Sequence, residues 1–91
     1  MSYELRKVGD PRRGDVGGMS MLITPGLDEP PQMKMDARPE VGSAIRVGSI
    51  SARMFGYQDW WQTSLIEEIL EDELDYVKFR TINSVYEWRQ H

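Results

Sequence analysis

From Tyr76 to Arg89 apolar and polar residues alternate with a period of two, the signature of a half-buried strand. Val77, Phe79 and Thr81 fall on one face and Lys78 and Arg80 on the other. Asn83-Ser84 interrupts the pattern as a two-residue turn, and Val85–Arg89 resumes it with Tyr86 and Trp88 sharing a face. This segment is predicted to be a β-hairpin. Ala44–Met54 alternates as well, but its parity slips at Gly48: Ile45 and Val47 share one face, and Ile50, Ala52 and Met54 the other. A glycine at the slip suggests a bulge or a sharp bend in a strand. Phe55–Asp59 then reads as a turn.

The stretch 60–75 carries two opposed signals. Leu65, Ile66, Ile69, Leu70 and Leu74 stand at helical spacing, and Ser64 followed by Glu67 matches a capping box, so the pattern alone gives a short amphipathic helix over 64–74. Trp60-Trp61-Gln62-Thr63 is strand-like, and a bulged strand also scrambles alternation.

Composition divides the chain near Gly42. All five prolines and six of the eight glycines lie at or before it; all three tryptophans, both phenylalanines and three of the four tyrosines lie after it. Ordering a residue costs roughly 1–2 kcal/mol of backbone entropy, and the first segment has little apolar area to offset it. Residues 1–42 are therefore expected to be a flexible arm, and residues 43–91 one compact β-rich domain. Within the arm, Met19–Thr24 is a short apolar run able to dock as an edge strand, on the domain or on a partner, or to stay disordered. Residues 27–41 read as an extended, proline-punctuated linker.

Trp61-Gln62-Thr63-Ser64, Ile66 and Ile69, followed by Val77, Phe79, Thr81, Asn83-Ser84 and Tyr86, resemble a pattern in small proteins of bacteriophages and prophages. The resemblance covers roughly residues 43–90. It implies a mainly β fold, a small SH3-like barrel or curled antiparallel sheet, in which 61–71 is a strand; an α+β fold with a helix at 64–74 is the alternative. It implies no catalytic residues and no activity. The proline-rich arm and the double tryptophan depart from the pattern.

Chemistry narrows the function classes. The chain has no cysteine, and its one histidine is the terminal His91, expected to belong to a disordered end. No nucleophile with a supporting base, no phosphate-cradling glycine loop and no convincing metal ligand set is legible. Asp72, Glu73 and Asp75 lack the spacing and turn glycine of a calcium loop. A non-enzymatic protein without cofactor or metal is expected. With no apolar run long enough to span a bilayer and no signal-peptide pattern at its start, the cytoplasm, a host cell's if the chain is phage-encoded, is the expected location.

Binding features remain. The net charge of −4 is uneven: Glu67, Glu68, Glu71, Asp72 and Glu73 crowd together, with Asp75 just beyond. Such a run is commonly a solvated face, but Glu67, Glu71 and Asp72 also suit an acidic patch that meets a basic surface on a host or phage protein. Phe55, Tyr57, Trp60, Trp61, Tyr86 and Trp88 form an aromatic set. Adjacent residues on a strand point to opposite faces, so one of Trp60 and Trp61 is expected in the core and the other on the surface as an interface anchor. Finally Arg46, Lys78 and Arg80, with Arg53 and Arg89, interleave with aromatics as in barrels that stack single-stranded nucleic acid, a reading opposed by the acidic total. The expected function is an interaction module that binds a host protein, for instance to inhibit a defence or transcription complex. A single-stranded nucleic-acid-binding barrel and a minor virion part are the alternatives.

Overall fold

The computed structural model describes residues 2–49 and 60–91. These form nine strands: β1 Tyr3–Lys7, β2 Asp10–Gly17, β3 Met19–Thr24, β4 Gln32–Met35, β5 Ala44–Gly48, β6 Trp60–Gln62, β7 Ile66–Glu73, β8 Tyr76–Thr81 and β9 Val85–Gln90. They make two antiparallel sheets, ordered β2-β1-β9-β8-β7 and β4-β3-β5-β6. The fold is mainly β, as expected, and its sheets curl around one core without closing into a barrel. Among the described residues no helix is long and apolar enough to cross a membrane. The second half of the strand expected over 44–54 and the turn at 55–59, with Arg53, Phe55 and Tyr57, lie outside the described residues.

The hairpin is where the alternation put it. Val77, Phe79, Thr81, Tyr86 and Trp88 face inward and Lys78 and Arg80 outward, with Phe79 opposite Tyr86 and Val77 opposite Trp88. Its connection is Ile82-Asn83-Ser84, closed by the Thr81 amide donating to the Ser84 carbonyl at 2.8 Å. On β5, Ile45 and Val47 are fully buried.

Within 64–74 the structure is a strand, β7 over Ile66–Glu73, and not a helix, and the register explains the helical spacing. Along β7, Ile66 pairs with Thr81, Glu68 with Arg80, Ile69 with Phe79, Glu71 with Lys78 and Asp72 with Val77. The ladder slips between Ile66 and Glu68 and again between Ile69 and Glu71, so two extra residues are accommodated as bulges. Inward positions on β7 therefore recur every three residues against every two on β8. That stretched period is what mimics a helix.

The arm expected over residues 1–42 is corrected by the structure. β1 lies inside the five-stranded sheet, between β2 and β9, and β3 lies inside the other, between β4 and β5; Met19–Thr24 is thus not an edge strand. Tyr3, Leu5, Met19, Met21 and Leu22 are buried. Total apolar area misled because a few side chains suffice once partner strands cover them: β1 buries Tyr3 and Leu5, and β3 buries four successive residues, Met19 to Leu22, on both of its faces. Nor are the glycines a mark of flexibility. A Cβ at Gly17 would overlap the carbonyl of Gly48, so Gly17 lets the chain cross from one sheet to the other at close quarters. Of the 27–41 segment, expected to be extended, only β4 is strand, an exposed edge paired with β3; residues 27–29 bend and Asp36 turns at φ 53°. The terminal His91 is also tied down: its amide and carbonyl pair with Ser2, and its Nε2 lies 3.3 Å from Glu4 Oε1. That contact holds the Glu4 carboxyl below its ordinary range.

Trp88, fully buried, is the hub of the core. Its ring lies 5.8 Å from that of Tyr3, and its Nε1 donates to Ser20 Oγ at 3.0 Å, joining β9 to β3 across the sheets. Ser20 Oγ in turn donates to the Ala37 carbonyl at 2.8 Å. Arg38 closes the open end of this core. Its guanidinium stands 5.6 Å from the Trp88 ring and donates to the Asp72 carboxylate and to the carbonyls of Glu73 and Leu74 in the β7–β8 turn.

The β8–β9 hairpin also contains a pH-sensitive contact. Tyr76 donates its hydroxyl to Glu87 Oε2 at 2.6 Å. Burial, then this hydrogen bond, push the phenol up to about 12. Up to the ordinary phenol value near ~10 both folded and unfolded chains hold the proton. Above it the unfolded chain loses its proton while the folded one keeps it, so stability falls as pH rises through the 10-to-12 window. Burial raises Tyr3 as well. Urea unfolding followed across this window is expected to show a shallower decline for Tyr76→Phe than for the parent; identical slopes would remove Tyr76 from the account.

Candidate functional site: an apolar groove beside an acidic strand

Three connections meet where β7 leaves the corner between the two sheets. In the first, Ser43 donates its amide to the Glu40 carbonyl at 3.3 Å, forming a turn with Gly42 at φ 89°. That backbone disfavours residues with a Cβ and leaves Val41 at the tip. The second is the corner 63–65. Thr63 Oγ1 accepts the Ile45 amide at 3.2 Å and donates to the Ser64 carbonyl at 2.8 Å, while the Thr63 amide donates to the Ile45 carbonyl at 3.0 Å. A side chain thus replaces one rung of the ladder, and the chain turns from β6 into β7 with Leu65 outward. The third is the hairpin loop that carries Ile82. Gly42 donates to Ile66 and Ile66 to Ser43, both at 2.9 Å, which ties the first turn to the start of β7, and Ile66 pairs with Thr81, the residue before Ile82.

The result is an open groove of about 450 Å³ lined by Val41, Gly42, Ser64, Leu65, Ile66, Glu67 and Ile82. Ile66 belongs to the core and forms its floor. Val41, Leu65 and Ile82 are 59%, 48% and 70% exposed. Turn tips ordinarily carry Gly, Asn, Asp or Ser, which hydrogen-bond their own backbone or tolerate its dihedrals. Three large aliphatic side chains at three adjoining tips leave apolar surface in water.

Glu67, at the first bulge of β7, lines the groove and binds Arg80 at 3.0 Å. Arg80 also reaches Glu68, at 3.4 Å. Glu71 lies opposite Lys78 in the register. Asp72, on the surface, is held by Arg38. Of the acids expected to meet a partner, Glu67 is therefore at the groove, Glu71 on the outer face of β7, and Asp72 exposed but tied to Arg38. Six acids from Glu67 to Asp75 face three nearby cations, Arg38, Lys78 and Arg80, so this edge of the sheet keeps a negative excess.

Trp60 and Trp61 lie elsewhere, on β6 of the four-stranded sheet. Both are half-buried. Trp61 packs against the core with its Nε1 3.4 Å from the Tyr86 hydroxyl, and Trp60 is covered by the Arg46 guanidinium at 4.0 Å. Arg46 further donates to Gln62 Oε1 at 2.7 Å through its terminal nitrogen. The cations expected to track a nucleic acid do not converge: Arg46 is on β5 of one sheet, Lys78 and Arg80 on β8 of the other, and Arg80 is bracketed by glutamates.

The groove residues Val41, Leu65 and Ile82 were not singled out from the sequence. Leu65 belongs to the helical spacing over 64–74, and Ile82 stands immediately before Asn83-Ser84, where an isoleucine is a legible oddity. Among the described residues no group of three or more His, Cys, Asp or Glu side chains is arranged to hold a metal ion. No protein-family model, characterised protein or solved structure matches the chain. Its function is therefore read from the groove and the charges around it.

Proposed function

We propose that this chain is a non-enzymatic interaction module that docks a protein partner at the start of β7. One observation carries the reading: Val41, Leu65 and Ile82, on three separate turns, hold aliphatic side chains in water around a common groove. Folding gains nothing from that exposure, whereas a partner that covers it gains roughly 25 cal/mol per Å² of apolar surface. The negative edge beside the groove steers a basic partner toward it. The resemblance to bacteriophage and prophage proteins supports a host-cell protein as that partner, with inhibition of a host complex as the outcome.

Capture from bacterial lysate tests this, with nuclease-treated and untreated halves and with Ile82→Asp beside the parent. Ile82 is largely exposed, so the substitution leaves the core intact, as far-UV circular dichroism will check. A protein captured by the parent after nuclease treatment and lost with Ile82→Asp supports the docking site. Equal capture by both removes the groove from the interaction, and capture that disappears with nuclease replaces the reading with nucleic-acid binding.

A further inference from the structure

The groove and the strand beside it also define what kind of partner surface fits, an inference that rests on the docking reading above. The groove is apolar at its floor and on three sides, and Glu67 is the one charged residue among the described residues lining it. At about 450 Å³ it is within the size of pockets that bury a ligand group, roughly 300–1,000 Å³. Its length continues along β7, the outer strand of the five-stranded sheet. There Glu68, Glu71 and Glu73 stand opposite Arg80, Lys78 and Tyr76, so two outward cations oppose three outward acids, and Glu67 adds a fourth at the groove.

The mode of recognition follows from the bulges. An open, regular edge strand invites another strand to pair with its backbone. β7 is irregular at two places, between Ile66 and Glu68 and between Ile69 and Glu71, which breaks the even spacing a long ladder requires. Affinity must then come from side chains, not from main-chain pairing. We infer that the groove takes one large apolar side chain from an extended segment of the partner, and that Lys or Arg residues flanking this anchor meet Glu67 and the outer carboxylates of β7. Charge complementarity selects this occupant: a second copy of the chain would bring the same negative edge against itself.

The test uses the full chain and an array of capped nonapeptides with Leu, Phe, Met or Ala at the centre and Lys/Arg, Ser or Glu flanks. Peptides with a large apolar centre and basic flanks are expected to bind at least about tenfold tighter than those with an Ala centre or Glu flanks. Their binding should weaken as salt is added, because the flanking contacts are exposed. Amide shifts in the labelled protein should concentrate at Val41, Gly42, Leu65, Ile66 and Ile82. Ile82→Asp and Glu67→Lys should each cost about tenfold or more, with the fold verified by circular dichroism. Binding indifferent to the central residue, shifts centred away from the groove, tighter binding of single-stranded oligonucleotides at the same residues, or no peptide bound at all would each overturn the inference. If no peptide binds while a captured protein is still lost with Ile82→Asp, the segment inference falls alone and the docking site stands. If capture is indifferent to Ile82→Asp, both fall.

Discussion

A chain shortened to begin at Gly42 is expected to show no cooperative unfolding transition and a far-UV spectrum dominated by coil. The shortened chain keeps the aromatic-rich half, which composition alone marks as a self-sufficient domain. It loses β1 and β3, which are interior strands of the two sheets. Without β1, β9 loses its partner for Tyr3–Lys7 along Lys7↔Tyr86 to Tyr3↔Gln90, and becomes an open edge. Without β3, β5 loses five paired positions, and Trp88 loses the Ser20 hydroxyl. Five large buried apolar side chains go at once, Tyr3, Leu5, Met19, Met21 and Leu22, and Ala37 with them. Burying a large apolar side chain is worth roughly 1.5–3 kcal/mol, so the loss from these five is as large as the roughly 5–15 kcal/mol by which small domains are stable. A sigmoidal urea transition from residues 42–91 alone would restore the flexible-arm reading of residues 1–42.

The second large effect is expected at Trp88. Trp88→Ala should lower unfolding stability by about 3–5 kcal/mol, the usual range for removing a buried large aromatic side chain. Trp88 is fully buried, lies against Tyr3, and donates to Ser20 Oγ at 3.0 Å. Its removal leaves a cavity between the sheets and takes away the donor that links β9 to β3. The loss also exposes Arg38, whose guanidinium rests 5.6 Å from the ring, to solvent from within. Equilibrium denaturation of the variant measures the effect. A loss under about 1 kcal/mol would mean the sheets repack around the vacancy and that Trp88 is not the hub assigned to it.

The contrast between the two halves of the chain shows how far pattern reaches. Alternation over 76–89 identified the hairpin and its inward face, because period two follows from local backbone geometry alone. The same reasoning identified Ile45 and Val47. It misdirected over 64–74, where Ile66, Ile69 and Asp72 stand three apart yet oppose Thr81, Phe79 and Val77 two apart. A bulge is a relation between two strands, and neither strand's sequence states it alone. Composition misdirected over 1–42 for a related reason: it counts apolar area per segment, whereas Tyr3 and Leu5 draw their value from the neighbours that enclose them.

The candidate site was legible only in part. Glu67 and the charge run were visible, since charge is a property of residues. The groove was not, because Val41, Leu65 and Ile82 are far apart in sequence and meet through the Gly42–Ile66–Ser43 hydrogen bonds and the pairing of Ile66 with Thr81. The dispersal of Arg46 from Lys78 and Arg80, and the capture of Asp72 by Arg38, are likewise consequences of which strands share a sheet. By itself the sequence determined the β character of the chain, the hairpin and its buried face, and the negative excess along residues 67–75, all of which depend on neighbours in the chain. Tertiary structure decided that the N-terminal strands complete both sheets, that β7 is bulged and not helical, and that three turn tips enclose a groove. Each of these depends on pairing between distant residues, and pairing energy belongs to the pair.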